Sequence, residues 1–332
     1  MAARRPMRFG VFTGMAGASW HDMLTLWKLA DELGYATARI PDHFYSGSKN
    51  PEAECYESWS IVAAMAAETR RIRIGPMVSG NTYRHPAVLA NVVATIDHIS
   101  GGRVDLGLGA GWMKVEHDGY GIPLPSARER LDRLDEALQV VKLLFTERRA
   151  NFQGTYYQLN NALCEPKPIQ KPYPHLLVGG SGEKRTLRIV AKHADEWNGE
   201  IGPSGMRHKI AVLHEHCRAV GRDPSEIEVS VVIRTESAFA ALYEGMVRDG
   251  NPNLEMERQR LIAEGVPAAD LDDRVREAVF SWFLPDDESA AIDRLHEYAA
   301  VGVSHVIVSR QPPYDYQAIE RFMTHVAAGI AE

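Results

Sequence analysis

The sequence predicts an α/β protein, a (β/α)8 TIM barrel with insertions after strands four and seven, and three observations predict it. Apolar strand-like runs alternate with amphipathic helical patterns along almost the whole chain, as expected for parallel strands joined by crossover helices. The length of 332 residues suits one barrel domain over 1–332 that carries insertions. The first strand-to-helix turn, Thr13-Gly14-Met15, holds no phosphate fingerprint. GLGAGW (Gly107–Trp112) lacks the last glycine of GxGxxG and falls at strand four, so an open dinucleotide-binding sheet is a poor fit.

Residues 1–6 read as a loose extension before strand one, Arg8–Phe12. Ser19 caps the first helix, with Asp22 in the capping-box position. Trp20, Met23, Trp27, Ala30 and Leu33 fall on one helical stripe, and Gly34 ends it. Strand two is Ala36–Ile40. The next helix, Tyr56–Thr69, turns Trp59, Val62, Met65 and Ala66 inward, and strand three is Arg71–Val78. Pro86 opens the following helix at its first position. Leu89, Val92, Val93, Ile96 and Ile99 line that helix, Gly101 and Gly102 close it, and strand four is Arg103–Gly107.

The first insertion spans about 113–174. Ser126 caps its helix, with Glu129 three residues on and Leu131, Leu134, Leu138, Val141 and Phe145 as its stripe. Asn151–Leu159 reads as a hairpin. The proline-rich run Cys164–Pro174 is an extended lead-in to strand five, because proline blocks helix and biases its predecessor toward extended geometry. Strand five (His175–Gly179) and a short strand six (Asp195–Asn198) precede a helix over Ser204–Val220 and strand seven, Glu228–Ile233. The second insertion spans about 235–284. Asn251–Gly265 is its most polar and least patterned part and is expected to be mobile. A helix over Asp287–Ala300, strand eight (Ser304–Ser309) and a last helix over Tyr314–Ala328 complete the ring.

Composition narrows the function classes. Hydrophobic residues make up 45%, ordinary for a globular chain with a large core. The net charge of -7 comes with no long basic run, which argues against nucleic acid and anionic membrane surfaces as partners and leaves a small-molecule substrate. The three cysteines, Cys55, Cys164 and Cys217, are scattered, so no disulfide framework or zinc site is read and a reducing cytoplasm is the expected home. The N-terminus has no apolar signal region, and Ile61–Ala67 is far too short to span a bilayer.

Function in a barrel sits at the C-terminal strand ends. Two of these ends are rich in glycine. In SGGRVDLGLGAGW (Ser100–Trp112), Gly107, Gly109 and Gly111 strip side chains from the end of strand four, which lets backbone approach a flat ligand. In HLLVGGSGEK, the turn Gly179-Gly180-Ser181-Gly182 leads into a helix whose unpaired amides favour an anion such as phosphate. The pair predicts a phosphorylated, planar cofactor held by Gly109, Ala110, Gly111, Trp112, Gly179, Gly180, Ser181, Gly182 and Asn198.

His43 is the candidate acid or base, since imidazole titrates near neutrality; a histidine bonding a neighbouring loop is the other reading. Asp42 either orients His43 or bonds the ligand, or is a turn former or helix cap. Ser79, Gly80 and Asn81 end strand three, where Gly80 permits unusual backbone angles and Asn81 bonds a ring edge or merely turns the chain. Glu116 is a candidate donor to a ligand, against the reading of a solvated loop glutamate. Lys184 and Arg185 add charge beside the phosphate turn or are simply a solvated helix face. No metal site is read: His214 and His216, two apart on a helix, point to different faces. No nucleophile elbow is present either.

These pieces, with ARIPDHF (Ala38–Phe44), YRHP (Tyr83–Pro86), SARERLDRLDEAL (Ser126–Leu138) and Pro166–Asn198, occur in order and resemble the luciferase-like flavin- and deazaflavin-dependent oxidoreductases, most of all their actinobacterial F420-type branch. The resemblance implies the barrel with insertions after strands four and seven, a homodimer, a cofactor ring across the barrel mouth and its phosphate on Gly179–Gly182. It further implies a non-proline cis peptide in the segment Val78-Ser79-Gly80, and a role for His43 near the reacting carbon. Two departures stand out. Sugar-phosphate dehydrogenases of this family carry a tryptophan soon after that histidine, where this chain has Phe44, Tyr45, Ser46 and Gly47; they also carry an acid where it has Trp112, Glu116 being the nearest acid. Sugar-phosphate oxidation is therefore not carried over.

Three readings follow. The first is an F420-dependent oxidoreductase moving hydride to or from a small organic substrate. The second is an FMN-dependent monooxygenase, since both cofactors share a three-ring core and a ribityl phosphate. The third is a catalytically silent barrel that binds cofactor without turnover, motivated by the few titratable groups at the strand ends.

Overall fold

A computed structural model describes residues 5–46, 52–248 and 250–331; most of the N-terminal extension (1–4) and Gly47 lie outside them. The strands of the barrel wall are β1 (Arg8–Thr13), β2 (Thr37–Ile40), β3 (Arg73–Pro76), β4 (Ser79–Gly80) and β5 (Leu106–Gly109). Beyond the hairpin β6 (Ala150–Gln153) and β7 (Gln158–Ala162), the wall continues with β8 (Leu176–Gly179), β9 (Glu196–Gly199), β10 (Glu228–Thr235) and β12 (His305–Arg310), while β11 (Phe283–Leu284) pairs only with β10. Around the ring the order is β3-β2-β1-β12-β10-β9-β8-β5-β4, nine parallel strands in a nearly closed barrel. Strands covered on both faces read as apolar runs where the wall is dry, as in β8 (LLVG), whereas β2 and β9 also bury Arg39 and Glu196.

Strand three is not continuous. Its first half, β3, pairs with β2, and its second half, β4, pairs with Leu108 and Gly109 of β5. Between the halves the Met77–Val78 peptide is cis, one residue ahead of the segment the family resemblance indicated. A parallel bridge from Ile74 to Val104 brings the two ends of the sheet together. Glycine permits this approach: a Cβ at Gly75 would stand 2.2 Å from the Asp105 carbonyl oxygen, and one at Gly107 would stand 2.2 Å from that of Pro76. Strand four accordingly lies at Leu106–Gly109, later than the Arg103–Gly107 expected from hydropathy.

The helices follow the capping chemistry of the sequence. In α1 (Trp20–Leu33) the Ser19 hydroxyl accepts from the Asp22 N–H, and Gly34 closes the helix at φ +83°. Helix α2 is Ser58–Glu68, and α3 (Pro86–Ser100) has proline at its first position. Between β5 and β8 stand α4 (Lys114–Tyr120), α5 (Ala127–Thr146) and the β6–β7 hairpin. After β8 come α6 (Thr186–His193) and α7 (Pro203–Val220).

The most polar and least patterned stretch of the second insertion forms α9 (Pro252–Ala263), which follows α8 (Phe239–Arg248) and packs on α10 (Leu271–Phe280). Its inward face holds Leu261 and Glu257, both buried. Glu257 is paired with Arg260 at 2.5 Å, so a charge stands where an apolar residue would have marked the period. Helix α11 (Glu288–Val301) precedes β12, and the last helix runs as α12 (Tyr316–Arg321) and then widens to π-type turns over Phe322–Ala327.

The barrel floor is polar. Arg39, fully buried, donates to Asp105 at 2.7 Å, while Glu196 hydrogen-bonds His305 at 2.9 Å and His175 at 3.1 Å. Burial alone would raise the Glu196 carboxyl, but His305, His175 and Arg39 hold it well below the usual carboxylate range. His175, Glu196 and Glu228 offer ligand atoms within 4.8 Å of one another. Arg8 pairs with Glu228 at 2.5 Å, and Arg39 stands 3.8 Å from Glu196. Protein cations therefore already meet these charges. Among the described residues no helix is long and apolar enough to cross a membrane.

Candidate active site

A cavity of about 440 Å³ opens at the C-terminal ends of the strands. Val78 forms part of its floor. A Cβ at Gly109 would lie 2.7 Å from a Val78 methyl, and one at Gly179 would lie 3.0 Å from it. The glycines at the ends of strands four and five thus make room for Val78, a role hydropathy does not show. Gly111, at φ +80°, adopts a backbone conformation that side chains disfavour, and a Cβ there would meet the Thr82 hydroxyl at 2.4 Å.

His43 lines the cavity just beyond β2. Its Nδ1 lies 3.0 Å from Oε2 of Glu116. Glu116 sits in the short helix α4 and is completely buried; it is not the solvated loop residue that its position in the sequence indicated. Its Oε1 accepts the backbone N–H groups of Phe44 and Tyr45 at 2.6 and 2.8 Å, and its Oε2 also accepts from the Tyr83 hydroxyl. Burial opposes the charge on Glu116, but His43, Tyr83 and the Tyr45 amide outweigh it and hold the carboxyl below its ordinary value. The same burial and the Glu116 charge push the Tyr83 hydroxyl up. An ionised carboxylate at Nδ1 favours the tautomer with the proton there, which leaves Nε2 as the acceptor for a ligand.

Asp42 neither caps a helix nor bonds His43. Arg84 grips it with both terminal nitrogens and also reaches Glu57 at 2.5 Å. The Ser58 hydroxyl donates to the Pro41 carbonyl at 2.7 Å, so α2 and the Tyr83-Arg84 turn together fix the backbone that carries His43. Cys55 Sγ lies 3.5 Å from the His43 carbonyl, and burial beside Glu116 and Asp42 pushes its thiol up to about 11.

The other candidates divide. Ser79, Gly80, Ala110, Trp112, Gly180, Ser181 and Asn198 all line the cavity. The Ser79 hydroxyl accepts from the Trp59 indole at 2.9 Å, and Asn198 donates to Ser230 at 3.1 Å. Trp112 is 63% exposed and meets the His43 ring edge-on, 5.5 Å between centroids. Asn81 and Gly182 are not in the cavity wall; Asn81 is buried and donates to the Tyr157 hydroxyl of the β7 hairpin at 3.2 Å. Gly180 carries φ +122°, and its carbonyl accepts from Trp197 at 2.8 Å. Arg185 is tied to Asp132 and to the Arg128 carbonyl, whereas Lys184 is exposed. Tyr83, Arg84 and Glu57 escaped the sequence reading, although YRHP had marked the segment.

A family model described as Luciferase-like monooxygenase matches residues 7–305. The chain is 28% identical over 319 residues to an F420-dependent glucose-6-phosphate dehydrogenase of Kineococcus radiotolerans, covering 91% of this chain and 89% of that one. Its fold is similar to that of the coenzyme F420-dependent tetrahydromethanopterin reductase of Methanopyrus kandleri (TM-score 0.76, 21% identity, covering 98% and 99% of the two chains). It is also similar to the oxygenating constituent of 3,6-diketocamphane monooxygenase from Pseudomonas putida in complex with FMN (TM-score 0.71, 20% identity, covering 97% and 98%).

Proposed function

The chain belongs to the luciferase-like monooxygenase family, and from that premise we propose that it is an oxidoreductase which takes F420 and moves hydride between this deazaflavin and a small organic substrate. The observation that carries the proposal is the pairing of His43 with the buried carboxylate of Glu116 at the edge of the cavity. Curated relatives named as F420-dependent dehydrogenases, matched over nine-tenths of the chain, support the choice of cofactor.

The cavity fits such a group. Its floor at Val78 is apolar, its wall at Gly109–Trp112 is largely backbone, and its far end is the glycine turn at Gly179–Ser181. On this reading Val78, Ser79, Gly80, Gly109, Ala110, Gly111 and Trp112 would hold the ring, and the turn Gly179–Gly182, with Asn198, would hold the phosphate. When bound, the deazaflavin supplies the hydride chemistry. His43 Nε2 takes a proton from the substrate or returns one, Glu116 holds the imidazole in the required tautomer, and Trp112 shields the ring edge from water. Turnover lost with binding kept in His43→Ala would separate this reading from a binding-only barrel.

Glu116 does not stand in for the acid of the sugar-phosphate dehydrogenases, because it lies behind His43 and outside the cavity wall. A different substrate is therefore expected. Assembly as a homodimer in a reducing cytoplasm belongs to the same reading; Cys55, Cys164 and Cys217 are free thiols, and the mass in solution tests the dimer.

An FMN-dependent monooxygenase is the second reading, supported by the FMN-bound structural neighbour. Titration of the purified protein with F420 and separately with FMN, followed by tryptophan fluorescence, separates the two. Trp112 lines the cavity and Trp197 donates to the carbonyl of Gly180 in its wall, so both should report binding. Preference for F420 supports hydride transfer, preference for FMN moves the search to oxygen chemistry, and affinity for neither defeats both.

A further inference from the structure

Five consecutive residues, 81–85, each tie a different part of the site. Asn81 holds the β7 hairpin, Thr82 Oγ1 meets His117 Nε2 at 2.8 Å, Arg84 holds Asp42 and Glu57, and His85 caps α3. Tyr83 stands at the centre of this turn. Its ring is fixed by Phe44 and by His117, each 5.0 Å away between centroids, and His117 is itself anchored to the Met113 carbonyl at 2.7 Å. That leaves the Tyr83 hydroxyl one direction, toward Oε2 of Glu116, the same oxygen that His43 Nδ1 meets.

The consequence is electrostatic. A buried carboxylate stabilises a protonated imidazole beside it, and each further donor on the same oxygen withdraws part of that stabilisation. Two backbone amides occupy Oε1, so Tyr83 is the neutral side-chain donor that competes with His43 on Oε2. The remaining groups beside His43 are balanced or uncharged: Asp42 is paired with Arg84, Cys55 is a thiol, and the Trp112 ring meets His43 edge-on.

We propose that Tyr83 is a positioning residue which, through the Glu116 oxygen it shares with His43, lowers the proton affinity of His43 and keeps its Nε2 an acceptor toward the cavity. The importance of this for turnover rests on the proposed role of His43; the effect on the imidazole does not.

The test reads the imidazole directly in the intact, labelled protein. The His43 signal is assigned by its loss in His43→Gln and titrated by NMR. Tyr83→Phe should raise its midpoint by about one pH unit, a tenfold change in the acid constant, and Glu116→Gln should lower it. In the Glu116→Gln background the added Tyr83→Phe change should move the midpoint no further. An unchanged midpoint in Tyr83→Phe, or an equal shift with and without Glu116, overturns the proposal. Should Tyr83→Phe not fold, 3-fluorotyrosine at position 83, a stronger donor of the same shape, should lower the midpoint, and no movement overturns the proposal equally. Turnover retained by His43→Gln would instead defeat the functional reading while leaving this coupling intact.

Discussion

Arg84 donates to Asp42 through two nitrogens, at 2.6 and 3.1 Å, and Asp42 immediately precedes His43 in the chain. The pair is the backbone counterpart of the contact between His43 and Glu116: one fixes where the residue stands, the other how its ring is turned. Asp42 is fully buried, and the Arg84 side chain that meets it is 16% exposed. Removing one partner would leave a charge with no compensation. Arg84→Met is therefore expected to lower stability by about 3–5 kcal/mol, read as the midpoint of urea unfolding; an unshifted midpoint would show that the pair does not hold this end of strand two.

The glycines around Val78 give a second expectation. Gly109→Ala puts a methyl 2.7 Å from the Val78 side chain and must push it into the cavity. Overpacking of this kind costs about 1–3 kcal/mol, and affinity for the proposed cofactor, F420, should fall on the order of tenfold. Val78→Ala in the same chain should restore much of it. Calorimetric binding to the single and double variants decides the matter, and additive losses would place Val78 outside the floor.

If the chain takes F420 as proposed, a His43→Gln variant should bind it as the parent chain does but lose turnover by roughly 100- to 10,000-fold, the usual contribution of a positioned acid or base. Comparison of Kd with kcat on a substrate found by screening checks this. Equal loss of both would make His43 a binding residue.

Asp135 predicts a pH dependence. It joins α5 to α6, meeting His193 at 2.5 Å and Lys192 at 2.9 Å. The His193 hydrogen bond, against the opposing effect of burial and with help from Lys192, draws its carboxyl from 3.8 down to about 2. A depressed carboxyl contributes stability above its unfolded value and loses it as pH falls through the folded one. Asp135→Asn should therefore cost about 1–2 kcal/mol at neutral pH, with discount for its partial exposure. The difference from the parent should shrink between about pH 4 and pH 2. Thermal unfolding across that range measures it, and a gap that stays constant into acid would show another origin.

Much of the architecture is legible in local pattern. The Ser19 cap, the Pro86 start and the Gly34 stop all stand where their chemistry requires. Legibility ends where a residue's role depends on a distant partner. In α9 a paired glutamate occupies an inward position and hides the period. At Glu116 a carboxylate in a glycine-rich, polar stretch resembles surface, and only its four donors explain its burial.

The sequence by itself determined most of the strands and helices, though not α4, α9 or the split of strand three, and so that the glycine-rich turns and His43 would gather at one end of a barrel. Periodicity and capping are local, and they act through neighbours three or four residues away. Only the tertiary structure decided what His43 would meet there. Glu116 lies 73 residues on from it, and Arg84 lies 42 on from Asp42. Those encounters follow from closure of the ring and from the split of strand three at Val78, and no local pattern records either.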